Sequence, residues 1–147
     1  MTATIAAAPP RLLLDTNVLL DVILRRTPWA NDAARVLDMV ARRVARGFVA
    51  SHAVTTVHYI VEREVDRETA ALAVADLLEA LEVVALESID YHRALAMQLA
   101  DFEDALHVAA CLRAGADYLV TRNERDFVGA AVATRTPAEV VALFGVS

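Results

Sequence analysis

The chain has 147 residues, 57% of them hydrophobic and 23% charged, with a formal net charge of −6 at pH 7. This composition fits one globular domain with a buried core and excludes intrinsic disorder, while a single cysteine, Cys111, excludes a disulfide scaffold and a thiolate zinc cluster. The acidic balance argues against a protein that coats nucleic acid through a basic surface, but not against an enzyme that meets phosphates through metal ions.

Residues 1–10 have no basic segment ahead of an apolar one. They read as a frayed tail ending at Pro9 and Pro10, with residues 11–147 as the domain. The longest uncharged run, residues 47–61, contains two histidines and falls short of the ~18 apolar residues of a membrane span, so the expected location is the cytoplasm. Residues 11–14 form a short apolar run ending at Asp15 and predict a buried strand. Residues 16–25 have helical spacing, with Val18, Leu19, Val22 and Ile23 on one face. Thr27 and Pro28 read as cap and first turn of a helix that runs to about Arg46 and is closed by Gly47. Residues 48–50 predict a second strand, and 52–64 a helix despite its β-branched Val54, Thr55, Thr56 and Val57. Asp66 caps a helix over 67–81, and 82–86 predict a third strand. Ser88 and Asp90 mark the start of a helix over 91–100; a further helix over 102–114 is closed by Gly115. Residues 117–120 predict a fourth strand ending at Thr121, and 131–133 a fifth. Thr136 and Pro137 open a last helix to about Phe144. Apolar strands alternating with helices predict a parallel sheet covered on both faces, with function beyond the carboxyl ends of its strands.

Three polar groups fall at such places. Asp15, Thr16 and Asn17 follow the first strand. Thr121, Arg122 and Asn123 follow the fourth, with Asp126 three residues on. Asp101, Glu103 and Asp104 open the helix over 102–114. If the first and fourth strands are neighbours, Asp15, Asp104 and Asp126 converge. Converging carboxylates repel unless a cation sits among them, and an all-oxygen pocket suits Mg²⁺. Such an ion activates water and steadies phosphoryl charge, which fits phosphodiester hydrolysis. The plainer reading makes these residues helix caps and turn residues. Arg26, Arg122 and Arg125 lie near the same place, and arginine suits phosphate recognition. The four histidines, His52, His58, His92 and His107, show no metal-binding spacing. His107 either faces the site or packs on its helix. Cys111 reads as a core residue and Trp29 as packing on the sheet edge.

The stretches LLLDTNVLLD, DFEDALHVAA and YLVTRNERDF, in that order, resemble a PIN domain, most closely the VapC-type toxins of bacterial toxin–antitoxin pairs. The likeness spans about residues 11–144. It implies a three-layer α/β/α domain with a central parallel sheet of about five strands. It also implies an Mg²⁺- or Mn²⁺-dependent endoribonuclease, a homodimer and a cognate antitoxin. Under it, Asp15 and Asp104 match metal-binding acids, while Asn123 and Asp126 complete the site. Thr16 and Asn17 match the polar pair after the first acid, and Thr121 the hydroxyl near metal or phosphate. One departure stands out: the Glu of the helix after the second strand is expected near His58 or Tyr59. Glu62, one turn later, is either its substitute or a surface residue, and Asp101 and Glu103 are spare acids near the third position. The departure keeps open a second reading, a PIN-like module that binds RNA or protein without cutting. A phosphatase or receiver domain fits poorly, because Asn17 stands where a second phosphatase acid is wanted.

Overall fold

The apolar run Leu12, Leu13, Leu14 lies in strand β1 (Arg11–Leu14), and all three side chains are fully buried. The computed structural model describes residues 8–145; the part of the expected tail that falls on residues 1–7 lies outside the described residues. After β1 come helices α1 (Thr16–Ile23) and α2 (Ala30–Ala41), strand β2 (Arg46–Ala50), helices α3 (Ser51–Glu64) and α4 (Arg67–Ala80), and strand β3 (Glu82–Val84). Helices α5 (Ser88–Ala96) and α6 (Phe102–Ala114), strand β4 (Tyr118–Val120), a 3-10 turn (Glu124–Phe127), strand β5 (Thr134–Arg135) and helix α7 (Pro137–Phe144) complete the chain.

The sheet is parallel throughout, in the order β3-β2-β1-β4-β5. Successive strand residues face opposite ways. Leu12 and Leu14 pack into a core built from α1, α2, α3, α4 and α7, while Leu13 joins Phe48, Leu119 and the apolar face of α6 on the other side. This gives a three-layer α/β/α domain. The chain runs from β1 outward to β3, then returns to lay β4 on the free edge of β1. The strand order therefore reverses between β1 and β4, which is where open parallel sheets form their ligand crevice.

Several element bounds differ from those predicted. Helix α2 begins at Ala30, not at the Thr27–Pro28 pair, because the Ala30 amide bonds the Arg26 carbonyl and builds the first turn on loop backbone. It ends at Ala41: Arg43 has φ 62°, the Val44 amide turns back to the Met39 carbonyl, and the Arg46 amide reaches Pro10 beside β1. Gly47 is consequently a residue of β2 and not a helix terminator. Strand β5 is Thr134–Arg135, not 131–133. The preceding residues make a turn, with Gly129 at φ 84° and the Ala130 amide on the Phe127 carbonyl, and pairing with β4 starts only at Leu119 with Thr134.

Candidate active site

Asp15 stands at the end of β1 and Thr121 at the end of β4, on either side of the strand-order reversal. Asp15 is the N-cap residue of α1, yet its side chain makes no capping bond. Its Oδ2 accepts instead from the Thr121 hydroxyl at 2.8 Å. Its Oδ1 lies 3.5 Å from His107 Nε2. The hydrogen-bond network assigns the ring protons of His107. Nδ1 faces the Glu103 carbonyl at 2.9 Å, which only accepts, so Nδ1 carries the proton; Nε2 receives the Thr16 amide at 3.3 Å. Nε2 therefore offers Asp15 no proton. Among the described residues, this carboxylate, 4% exposed, has one side-chain donor for two oxygens, which leaves room for a cation.

Asp104 lies in the first turn of α6 and belongs to the same cluster. Its carboxyl is pushed up to about 6, first by burial and then by the carboxylates of Asp101, Asp15 and Asp126. Asp104 thus lies within electrostatic reach of both Asp15 and Asp126. Asp101 caps α6, its Oδ1 accepting the Asp104 amide at 3.0 Å. Asp126 is exposed in the 3-10 turn, and its amide bonds the Asn123 carbonyl at 3.0 Å. The Asn123 amide bonds the Thr121 hydroxyl at 3.1 Å, so one hydroxyl ties this turn to Asp15. A shallow cavity of about 490 Å³ lies alongside, lined by Arg122, Asn123, Glu124, Arg125 and Asp126. Thr16 is buried between Glu103 and His107, and Asn17 is half-buried next to it.

Glu62 is placed elsewhere. It is exposed, 3.6 Å from His58, and about 15 Å further along α3 than His52 at the helix start. Arg26 and Arg122 are already engaged. Arg122 lies 2.9 Å from Asp21 and over the Trp29 ring at 3.9 Å, and Arg26 lies 3.9 Å from Asp21 and 3.7 Å from Glu64. Sequence reasoning gave no role to Asp21, a 1%-exposed aspartate on α1. Burial raises its pKa against the pull of Arg122 and Arg26. The signal was present as an acid on the apolar face of α1, but its partner Arg122 belongs to another part of the chain. His52 was missed as well. It meets His107 edge-on, with ring centroids 4.6 Å apart, and burial lowers its pKa to about 4. Cys111 is a core residue whose thiol burial pushes up to about 12, which removes it as a nucleophile.

A family model described as PIN domain matches residues 11–125. Comparison with curated proteins finds no match. Solved structures of similar fold include VapBC2 from Rickettsia felis bound to a DNA fragment from its promoter. That match has 16% identity and a TM-score of 0.69, over 86% of this chain and 98% of that one. A toxin–antitoxin complex from Klebsiella pneumoniae matches at 20% identity and TM-score 0.65, over 86% of this chain and 97% of the other. Mycobacterium tuberculosis VapC20, a sarcin-ricin loop cleaving toxin, matches at 16% and 0.60, over 74% and 86%. At these identities the structural likeness carries the fold.

Proposed function

The chain belongs to the PIN domain family, and from that premise we propose that it is a metal-dependent endoribonuclease, the VapC-type toxin of a toxin–antitoxin pair. The observation that carries this reading is the buried Asp15 carboxylate, short of donors, at the strand-order reversal and near Asp104 and Asp126. Asp15, Asp104 and Asp126 would hold a hard divalent ion, Mg²⁺ or Mn²⁺, since their oxygens match its preference. Bound there, the ion activates water and neutralises phosphoryl charge. The Thr121 hydroxyl fixes the Asp15 carboxylate and, through the Asn123 amide, the turn that carries Asp126. Thr16, Asn17, Asn123 and the exposed Arg125 border the space where a phosphate would lie, while Arg26 and Arg122 shape it through Asp21. An ion also resolves how a chain of net charge −6 approaches RNA. A cognate antitoxin partner and a homodimer go with this reading, as does a cytoplasmic location. The toxin–antitoxin complex of similar fold supports the partner.

The test is to incubate the purified protein and its Asp15→Asn variant with total RNA in Mg²⁺, in Mn²⁺ and in chelator, and to map the ends of any products. Discrete cuts that need metal and vanish in the variant are expected. Unchanged cleavage by the variant overturns the assignment. One observation favours a second reading, a PIN-like module that binds RNA or protein without cutting: Glu62 sits away from the acidic cluster, so it does not supply the Glu the family resemblance calls for near His58 or Tyr59. Calorimetry separates the two readings. The binding module shows negligible Mg²⁺ and Mn²⁺ binding while RNA or antitoxin still binds.

A further inference from the structure

His52, Glu103 and His107 bring one ligand atom each to within 4.8 Å of one another, although α3 and α6 are far apart in sequence. Both ring nitrogens of His52 are buried, and neither has a hydrogen-bond partner among the described residues. A neutral imidazole always presents one donor and one acceptor, so this ring leaves both unmet, an unfavourable state for a buried polar group. His107 is prepared in the way metal-binding histidines are. Its Nδ1–H is held by the Glu103 carbonyl at 2.9 Å, which fixes the ring and leaves Nε2 with the lone pair. Among the described residues that lone pair is reached by two groups of Thr16, the amide at 3.3 Å and the hydroxyl at 3.2 Å, both long contacts. Glu103 stands one turn before His107 on the same helix face, and its nearest donor, the Thr16 hydroxyl, is 3.4 Å away.

We propose that His52, Glu103 and His107 form a second metal site, for a borderline divalent ion of the zinc class, beside the acidic pocket and chemically distinct from it. Two imidazoles and one carboxylate are the donors such an ion prefers, whereas Asp15, Asp104 and Asp126 offer only oxygen and suit Mg²⁺. Three protein ligands leave a fourth position open. Closing them around an ion needs some contraction, because atoms bonded at 2.0–2.1 Å in a tetrahedron sit about 3.4 Å apart. Rotations of the half-buried Glu103 side chain and of the His52 ring, which no hydrogen bond among the described residues holds, would provide it. The ion joins the start of α3 to the first turn of α6. The two sites meet at His107, 3.5 Å from Asp15 Oδ1, without sharing a ligand.

The experiment is calorimetric titration of Zn²⁺ into the metal-free full chain, with Co²⁺ as a spectroscopic probe. The wild type binds one equivalent of Zn²⁺ and gives the strong visible absorption of Co²⁺ in a four- or five-coordinate site. His52→Gln weakens Zn²⁺ binding at least about tenfold and loses the Co²⁺ band, whereas Asp15→Asn keeps both. Glu103→Gln repeats the loss and decides the matter if His52→Gln does not fold by circular dichroism. The proposal is overturned if the wild type binds no Zn²⁺, if His52→Gln and Glu103→Gln bind it as the wild type does, or if Asp15→Asn abolishes binding. RNA cleavage in Mg²⁺ is a separate readout. Its absence from the wild type counts against the nuclease reading and leaves the zinc titration unaffected.

Discussion

Asp21 and Arg122 show how one buried charge constrains the rim of the site. Asp21 is 1% exposed and is held by Arg122 at 2.9 Å, with Arg26 further away at 3.9 Å. Arg122→Ala removes the nearer cation and leaves a buried carboxylate poorly compensated. It is expected to lower unfolding stability by about 2 kcal/mol, below the range for a fully buried pair because Arg26 remains. Urea denaturation measures this, and Asp21→Asn in the same chain should recover most of the loss. An arginine serving only RNA would leave stability unchanged in both backgrounds. Asp15, Asp104, Asn123, Asp126 and Thr121 were legible as site candidates because each lies at the mouth of a recognisable element. Asp21 and His52 were not. What distinguishes them is burial against partners on other helices, and no periodicity records that. Of the two readings left open for Glu62, the structure gives the surface residue, exposed and 3.6 Å from His58, whereas His52 at the start of α3 meets His107 beside Asp15.

At the scale of elements, the sheet is set by the short apolar runs and its outer layers by what can approach them. Gly47 is the clearest case. A Cβ added there would lie 2.5 Å from Leu81 Cδ2 and 2.9 Å from Val40 Cγ2, so the residues at the end of α4 and within α2 rest directly on β2. Gly47→Ala is expected to cost about 1–3 kcal/mol through overpacking, seen as a lower midpoint in thermal melts. Leu81→Ala combined with it should return part of the loss, since the two changes share one contact. The same packing explains why Gly47 was misread. In sequence a glycine after a helical stretch looks like a terminator, whereas here it is what lets two helices close over a strand. Strands β1 and β4 and helix α6 were legible because apolar runs, the Asp101 cap and Gly115 agreed with one another. Strand β5, two residues long, carries too little hydrophobic pattern to be placed without its hydrogen bonds to β4.

For the whole molecule, two groups near the site pull the pH dependence of stability in opposite directions. The carboxyl of Asp104 is raised from 3.8 to about 6, first by burial and then by its acidic neighbours. The folded state therefore holds that proton more tightly, so this group's contribution falls as pH rises from about 4 to 6 and stays low above that. The His52 ring is lowered from 6.5 to about 4, first by burial and then by His107. Its contribution is whole above 6.5 and is lost as pH falls toward 4. Between pH 4 and 6 the two slopes oppose each other, so the metal-free protein has a flattened profile there. Single variants separate them. In chelator, Asp104→Asn gains on the wild type as pH rises through 4 to 6 and keeps that advantage at pH 8. His52→Gln gains on the wild type as pH falls from 6.5 to 4. Thermal melts of the three proteins across pH 4–8 measure both differences, and parallel curves would remove the electrostatic account of the cluster. On the proposed reading, a divalent ion held by Asp15, Asp104 and Asp126 would offset the same repulsion. Added Mg²⁺ or Mn²⁺ should therefore raise the midpoint of the wild type at pH 8, have little effect at pH 4 where Asp104 is protonated, and give a smaller gain in Asp104→Asn. An equal gain in that variant at pH 8 would place the ion away from Asp104.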